Sequence, residues 1–184
     1  MGLLREGINE VIATTAFNAA PMGIRYGDGN YSLTLFSGSH TASNVERDRW
    51  LVANILFDPV LYVKTAFEDL SKEAFCEEEV NGKTVQRLKA AEAWVVFSAK
   101  VGLKTAEATQ VSLIVERESV ASLKVRPVNR GFNSIIDATI HATRYIISHD
   151  AELMRLIDYH SVIIRKCGGP REREALELLG KYLQ

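Results

Sequence analysis

The chain has 184 residues, 47% of them hydrophobic and 24% charged, with a formal net charge of −1. This is the balance of a folded protein that can bury a core without disulfides or a structural metal. It excludes a general electrostatic grip on nucleic acid or an acidic membrane, and no run approaches the roughly 18 uninterrupted apolar residues of a membrane span.

Cys76 and Cys167 are far apart and outside any CxxC pair. That excludes a disulfide framework and fits a reducing cytoplasm. Charges at Arg5 and Glu6 stand where a secretory leader needs its apolar run. The expectation is a cytoplasmic protein with no nucleic-acid or membrane partner.

In chain order, residues 8–15 are rich in β-branched side chains and predict a strand. Residues 19–26 predict a second, with Pro21 marking an edge or bulge because it cannot donate a ladder hydrogen bond. Gly27-Asp28-Gly29-Asn30 is a hairpin turn into a third strand over 31–36, where Tyr31, Leu33 and Leu35 alternate with Ser32 and Thr34. Small residues from 37 to 44 lead into a short helix. Residues 50–57 form an apolar run interrupted by Asn54, read as a buried strand. Asp58-Pro59 is an N-cap followed by proline at the first helical position, which predicts a helix to about Phe67.

Residues 75–85 carry charges and an Asn81-Gly82 turn, the pattern of an exposed hairpin. Residues 94–101 and 109–116 predict two further strands. Beyond Pro127 the period changes. Phe132, Ile135, Ile136, Thr139, Ile140, Thr143, Ile146 and Ile147 recur at helical spacing. Leu153, Leu156, Ile157, His160, Ile163 and Ile164 repeat it after an Asp150 cap. Cys167-Gly168-Gly169-Pro170 stops that helix and starts another bearing Leu176, Leu179 and Leu183. A β-rich half thus precedes a helical tail, expected to pack on it as one compact unit.

Two segments have the chemistry of a ligand site. The first runs from Thr14 and Thr15 through Asn18, Ala20, Pro21, Met22 and Gly23. Small side chains let a flat aromatic ring approach the backbone, and Asn18 supplies amide donors and an acceptor. An ordinary β-connection explains the same residues. The second holds Ser37, Ser39, Thr41 and Asn44 where a strand hands over to a helix, with Arg47 or Arg49 nearby. Unpaired N–H groups at a helix N-terminus favour a phosphate, and simple helix capping is the alternative. There is no GK[ST], so nucleoside triphosphate hydrolysis has no support.

Asn54, if buried, needs a partner, either a ligand or a backbone group. His160 reads as a hydrogen-bonded core histidine. His141 and Arg144 share a helical face near Asn129 and Arg130, where they could touch a ligand or hold the tail on the β half. No GxSxG elbow, HExxH motif or Cys/His pair is present, so no acid, base or metal ligand is assigned.

The strand at 8–15 followed by Asn18-Ala19-Ala20-Pro21-Met22-Gly23 resembles the start of FMN-binding split β-barrel proteins. So does Ser39-x-Thr41-x-x-Asn44 followed by a strand containing Asn54. The tail from Asn129-Arg130-Gly131-Phe132 to Arg144 is similar to the helical C-terminal extension of an uncharacterised, mainly archaeal family of that superfamily. The resemblance implies an α+β fold, with a six-stranded antiparallel split barrel over 1–126 and a helical extension over 127–184 packed on it. It implies a homodimer with FMN near the subunit interface, Thr41 and Asn44 near its phosphate, and residues 18–23 near its ring. Relatives include flavin reductases, pyridoxamine-phosphate oxidases and non-catalytic flavin binders. The expected function is a flavin reductase-like oxidoreductase acting on an unknown small molecule. The alternatives are a flavin carrier or sensor, or a deazaflavin or haem binder in the same barrel.

Overall fold

The computed structural model describes residues 2–184. Its strands are β1 (Gly7–Thr15), β2 (Asn18–Gly27), β3 (Asn30–Phe36), β4 (Trp50–Ile55), β5 (Phe75–Val80), β6 (Lys83–Leu88), β7 (Ala93–Lys104) and β8 (Ala108–Val120). The helices are α1 (His40–Asp48), α2 (Pro59–Phe67), α3 (Arg130–Ser148), α4 (Ala151–Cys167) and α5 (Pro170–Tyr182). Six strands close an antiparallel barrel in the order β1-β2-β3-β8-β7-β4, and β5 and β6 form a separate hairpin. The α+β class and the six-stranded barrel are as expected.

Alternation fills the barrel. Val11 and Ala13, Leu33 and Leu35, Leu51 and Ala53, Val95 and Phe97, and Val111 and Leu113 all point into one core, each pair two residues apart as a pleated strand requires. The opposite face of β1 and β4 is equally dry: Ile12, Thr14, Val52 and Asn54 are fully buried. The β5–β6 hairpin packs on this face, with β6 touching β1 and β4. This corrects the expectation of an exposed hairpin, because Phe75, Val80, Val85 and Leu88 are all buried. Its charges lie among residues 77–79 and at Lys83 and Arg87, and they masked an apolar set of one residue in every few.

Pro21 sits where an edge was expected. β2 pairs with β1 along its length, but with β3 only at Arg25, Tyr26 and Gly27. Residues 18–24 therefore have a ladder partner on one side alone, and the missing proline N–H costs little there. The Asp28-Gly29 turn joins β2 to β3 with both residues left-handed, at φ 51° and 74°, the geometry a two-residue hairpin demands.

The chain divides into two compact units. One contains the chain up to Leu56 and Leu70–Lys124; the other contains Phe57–Asp69 and Val125–Gln184. α2 lies in the β-rich part of the sequence yet belongs with the C-terminal helices, and its ends show why. Asp58 caps it by accepting from Val60 N–H at 3.0 Å, and the same carboxylate accepts from Nε and Nη2 of Arg171 on α5 at 3.1 and 2.8 Å. At the other end Phe67 stacks on Tyr182, ring centroids 4.7 Å apart, and Tyr182 donates to Glu68. Within this unit a Cβ on Gly131 would stand 2.5 Å from the Gly168 Cα. The start of α3 can meet the α4–α5 junction this closely only without a side chain.

Candidate functional site

β1 and β2 are joined by two residues, Ala16 and Phe17, because Thr15 pairs directly with Asn18. Both are left-handed, at φ 44° and 62°, a conformation that costs a non-glycine residue about 1–2 kcal/mol. The Phe17 ring is braced edge-on against Phe75 at 5.7 Å, with the Lys72 ammonium 5.3 Å from its centroid. A two-residue hairpin demands this geometry at both positions, and the flanking β1–β2 ladder and the Phe75 contact hold the two residues in it.

α1 lies against this strained tip. Ala42 and Val45 enter the barrel core, and the helix touches β1, β2 and β3. Ser39 is its N-cap: the Oγ accepts from Ala42 N–H at 3.2 Å and donates to the Phe36 carbonyl at 2.9 Å. Two side-chain contacts then tie the helix to the tip. Asn18 Nδ2 donates to Thr41 Oγ1 at 2.9 Å. Asn44 Nδ2 donates to the carbonyl and the hydroxyl of Thr15, both at 3.2 Å. The structure therefore brings the two candidate segments together through the residues that marked them.

The other candidates divide. Ala20, Pro21 and Met22 are half-buried and Gly23 is exposed, along the one-sided stretch of β2. Gly23 is small for a reason internal to the ribbon, since a Cβ there would meet the Ile8 side chain at 2.8 Å. Ser37 is exposed and its Oγ lies 3.5 Å from the Thr105 carbonyl. Arg47 does not join the α1 N-terminus. It lies in the last turn, about 10 Å along the axis from the first-turn N–H groups, where Asp48 clamps its guanidinium at 2.7 and 2.5 Å. Thr14 and Asn54 take backbone groups and each other as partners. Asn54 donates to the Ile12 carbonyl and to Thr14 Oγ1, and accepts from Leu88 N–H. Thr14 in turn donates to the Gln86 carbonyl at 2.6 Å.

A cleft that the sequence did not signal opens at the other end of α1. It has a volume of about 450 Å³ and is lined by Ala16, Phe17, Asp48, Trp50, Lys83, Thr84 and Gln86. Three of these belong to β6, whose burial was not foreseen.

Residues 9–122 match the family model described as the N-terminal domain of the protein of unknown function DUF447, and residues 129–181 match a second DUF447 model. The chain belongs to the DUF447 family. The FMN-bound DUF447 protein of Methanosarcina mazei is 37% identical, with a TM-score of 0.92 over 97% of this chain and 96% of that one. The 2-nitrobenzoate 2-nitroreductase of Pseudomonas fluorescens has a TM-score of 0.52 at 14% identity, over 65% of this chain and 67% of its own. An FMN-binding protein of Thermus thermophilus has 0.50 at 11% identity, over 66% and 75%. The last two share the barrel fold with this DUF447 chain.

The histidine candidates lie in the helical unit. His141 and His160 face each other between α3 and α4, rings 5.6 Å apart, and each Nδ1 is buried without a hydrogen-bond partner. His160 is thus not the hydrogen-bonded core histidine expected; the Asp137 carboxylate stands 4.0 Å from its Nδ1, too far to bond. Asn129 caps α3, accepting from Gly131 N–H at 2.8 Å, while Arg130 and Arg144 are exposed.

Burial first, and then His160, hold the His141 imidazole below the ordinary histidine pKa. The unfolded chain therefore binds the His141 proton more readily. The stability due to neutral His141 is complete above about pH 6.5 and is lost as pH falls through the depressed folded value. Urea midpoints at pH 7.5 and 5.0 check this. The drop between them should shrink in His141→Leu, and an unchanged drop would remove His141 as the cause.

Proposed function

We propose that this DUF447 protein is an FMN-binding flavoprotein whose flavin supplies hydride or electron transfer to a small molecule. The reading is carried by an FMN-bound relative that is 37% identical over 97% of the chain, and the geometry fits it. The first turn of α1 places the Thr41 backbone N–H beyond the Ser39 cap, at a polarised helix end suited to a phosphate. The one-sided stretch of β2 from Asn18 to Gly23 offers small side chains and unladdered backbone to a ring edge. Thr41 and Asn44 act here by fixing α1 to the β1–β2 tip, so that phosphate end and ring end keep their spacing. Thr14 and Asn54 hold the hairpin rather than the ligand.

Homodimerisation belongs to the same reading. Phe36, just before the phosphate turn, is 71% exposed, and Leu103 and Ile114 are 67% and 60% exposed on the barrel; a second copy would cover them. The proposed setting is the cytoplasm.

Removing small molecules from the purified protein and titrating it with FMN tests the reading. Saturable binding of one FMN per chain, with a perturbed flavin spectrum, is the expected result. A protein that leaves the spectrum of free FMN unchanged would falsify it. Rapid mixing of the FMN complex with NADH or NADPH then separates an oxidoreductase from a carrier, because only the former is reduced and reoxidised through many cycles.

A further inference from the structure

α3 and α4 are joined by only His149 and Asp150 and pack against each other. Ile135, Ala138 and Ala142 of α3 share one buried core with Ile157 and Ile164 of α4. Asp137, His141 and His160 stand at the rim of that core. Asp137 and His141 are four residues apart, so they share a face of α3 one turn apart. His160 meets both from α4: its ring lies 5.6 Å from that of His141, and its Nδ1 lies 4.0 Å from the Asp137 Oδ2.

Two features set this group apart from an ordinary polar rim. The Nδ1 of each imidazole is buried with no hydrogen-bond partner, a condition that folded proteins rarely tolerate. The spacing is also that of ligands sharing an ion. Two imidazoles on one tetrahedral zinc, with Zn–N of about 2.0–2.1 Å, have ring centres about 5–5.5 Å apart, close to the 5.6 Å between His141 and His160. A nitrogen and an oxygen on the same ion stand about 3.4 Å apart, which a small turn of the Asp137 side chain reaches from 4.0 Å.

We propose that the α3–α4 seam binds a divalent transition-metal ion of the zinc class through His141, His160 and Asp137, with water in the fourth position. A neutral imidazole coordinates through one nitrogen and leaves the other N–H to solvent or a hydrogen-bond acceptor, so the ion meets the unpaired Nδ1 of both rings. In the structure the three side chains do not form a closed ligand shell. Asp137 closes it by turning inward, and its side chain is 55% exposed and free to do so. Arg144 also acts on His141 electrostatically; it is exposed and swings into solvent. The ion binds the folded helix pair in preference to the unfolded chain, and so staples α3 to α4. None of these residues belongs to the phosphate turn or to the one-sided stretch of β2, so the site does not depend on the flavin reading.

Calorimetric titration with zinc chloride at pH 7.5 tests it, on tag-free protein stripped of metal with EDTA and freed of small molecules. The expected result is one ion per chain with a dissociation constant of about 10 µM or tighter, and a higher thermal midpoint with zinc than without. Cobalt(II), the second probe, should give the visible absorption of tetrahedral nitrogen and oxygen ligation with no thiolate charge-transfer band. His141→Gln and His160→Gln should each weaken zinc at least about tenfold and remove the rise in midpoint. Asp137→Asn should weaken it severalfold; this side chain is exposed, so the result stands even if a histidine variant folds poorly. Cys76→Ser combined with Cys167→Ser should leave zinc binding unchanged. The proposal is overturned by absence of saturation at millimolar zinc, by indifference to both histidine replacements, or by loss of binding in the cysteine variant. FMN titration of His160→Gln reads the flavin site separately, so either proposal can fail alone.

Discussion

Thr41→Ala combined with Asn44→Ala is expected to weaken FMN binding about thirtyfold and riboflavin binding less than threefold. The double change removes the Asn18–Thr41 hydrogen bond and both Asn44–Thr15 contacts. At about 1 kcal/mol for each such bond, the N-terminal end of α1 loses some 2–3 kcal/mol of anchoring, and each 1.4 kcal/mol is tenfold in affinity. The loss falls on the phosphate because the first-turn N–H groups ride on α1. The ring-side segment is less affected, because β2 remains paired with β1 along its length. Thr41→Ser keeps the acceptor for Asn18 and should recover most of the affinity. Parallel fluorescence titrations with FMN and riboflavin measure the difference. Equal losses for the two ligands would move the phosphate away from α1, and no loss for either would remove both segments from the site.

The pairing of these segments shows how far residues alone led. Asn18, Thr41 and Asn44 stood out as polar or hydroxyl side chains at strand and helix boundaries, and they meet in space. The barrel strands were legible because pleat alternation and turn chemistry agree, as in Tyr31, Leu33 and Leu35 after Asp28-Gly29. The left-handed Ala16-Phe17 tip was not legible, since neither residue type favours that backbone and tertiary contacts hold it there. The cleft was missed for a related reason. Glu77, Glu78, Glu79 and Lys83 dominate the hairpin's composition, while Val80, Val85 and Leu88 decide its position. Arg47 was misleading because proximity in sequence to a helix N-terminus says nothing about which end of the helix a side chain occupies. Likewise α2 carried clear start signals, but no local pattern could assign it to the helical unit. That assignment depends on Arg171 and Tyr182, more than a hundred residues away.

Asn54→Ala is expected to cost about 3–4 kcal/mol of stability, a large share of the roughly 5–15 kcal/mol that holds a typical domain together. Asn54 is fully buried, and its carboxamide joins three strands. It donates at 2.9 Å to Ile12 of β1 and at 3.0 Å to Thr14 Oγ1, and accepts at 2.8 Å from Leu88 N–H of β6. Truncation leaves the Leu88 N–H and the Ile12 carbonyl short of a partner and opens a cavity. An unmet buried donor alone costs about 1–3 kcal/mol, and the lost packing adds to it. The change should also loosen β6, seen as faster amide exchange at Leu88, because Asn54 and Thr14 are the polar pins that dock the hairpin backbone. Asn54→Leu separates the two contributions: it fills the space but not the hydrogen bonds, so it should recover the packing share and leave exchange fast. A loss under about 1 kcal/mol with β6 protection intact would mean that Asn54 is not a structural pin. If such a stable variant had also lost FMN, Asn54 would return to the flavin site, where its position in an otherwise apolar strand first suggested it.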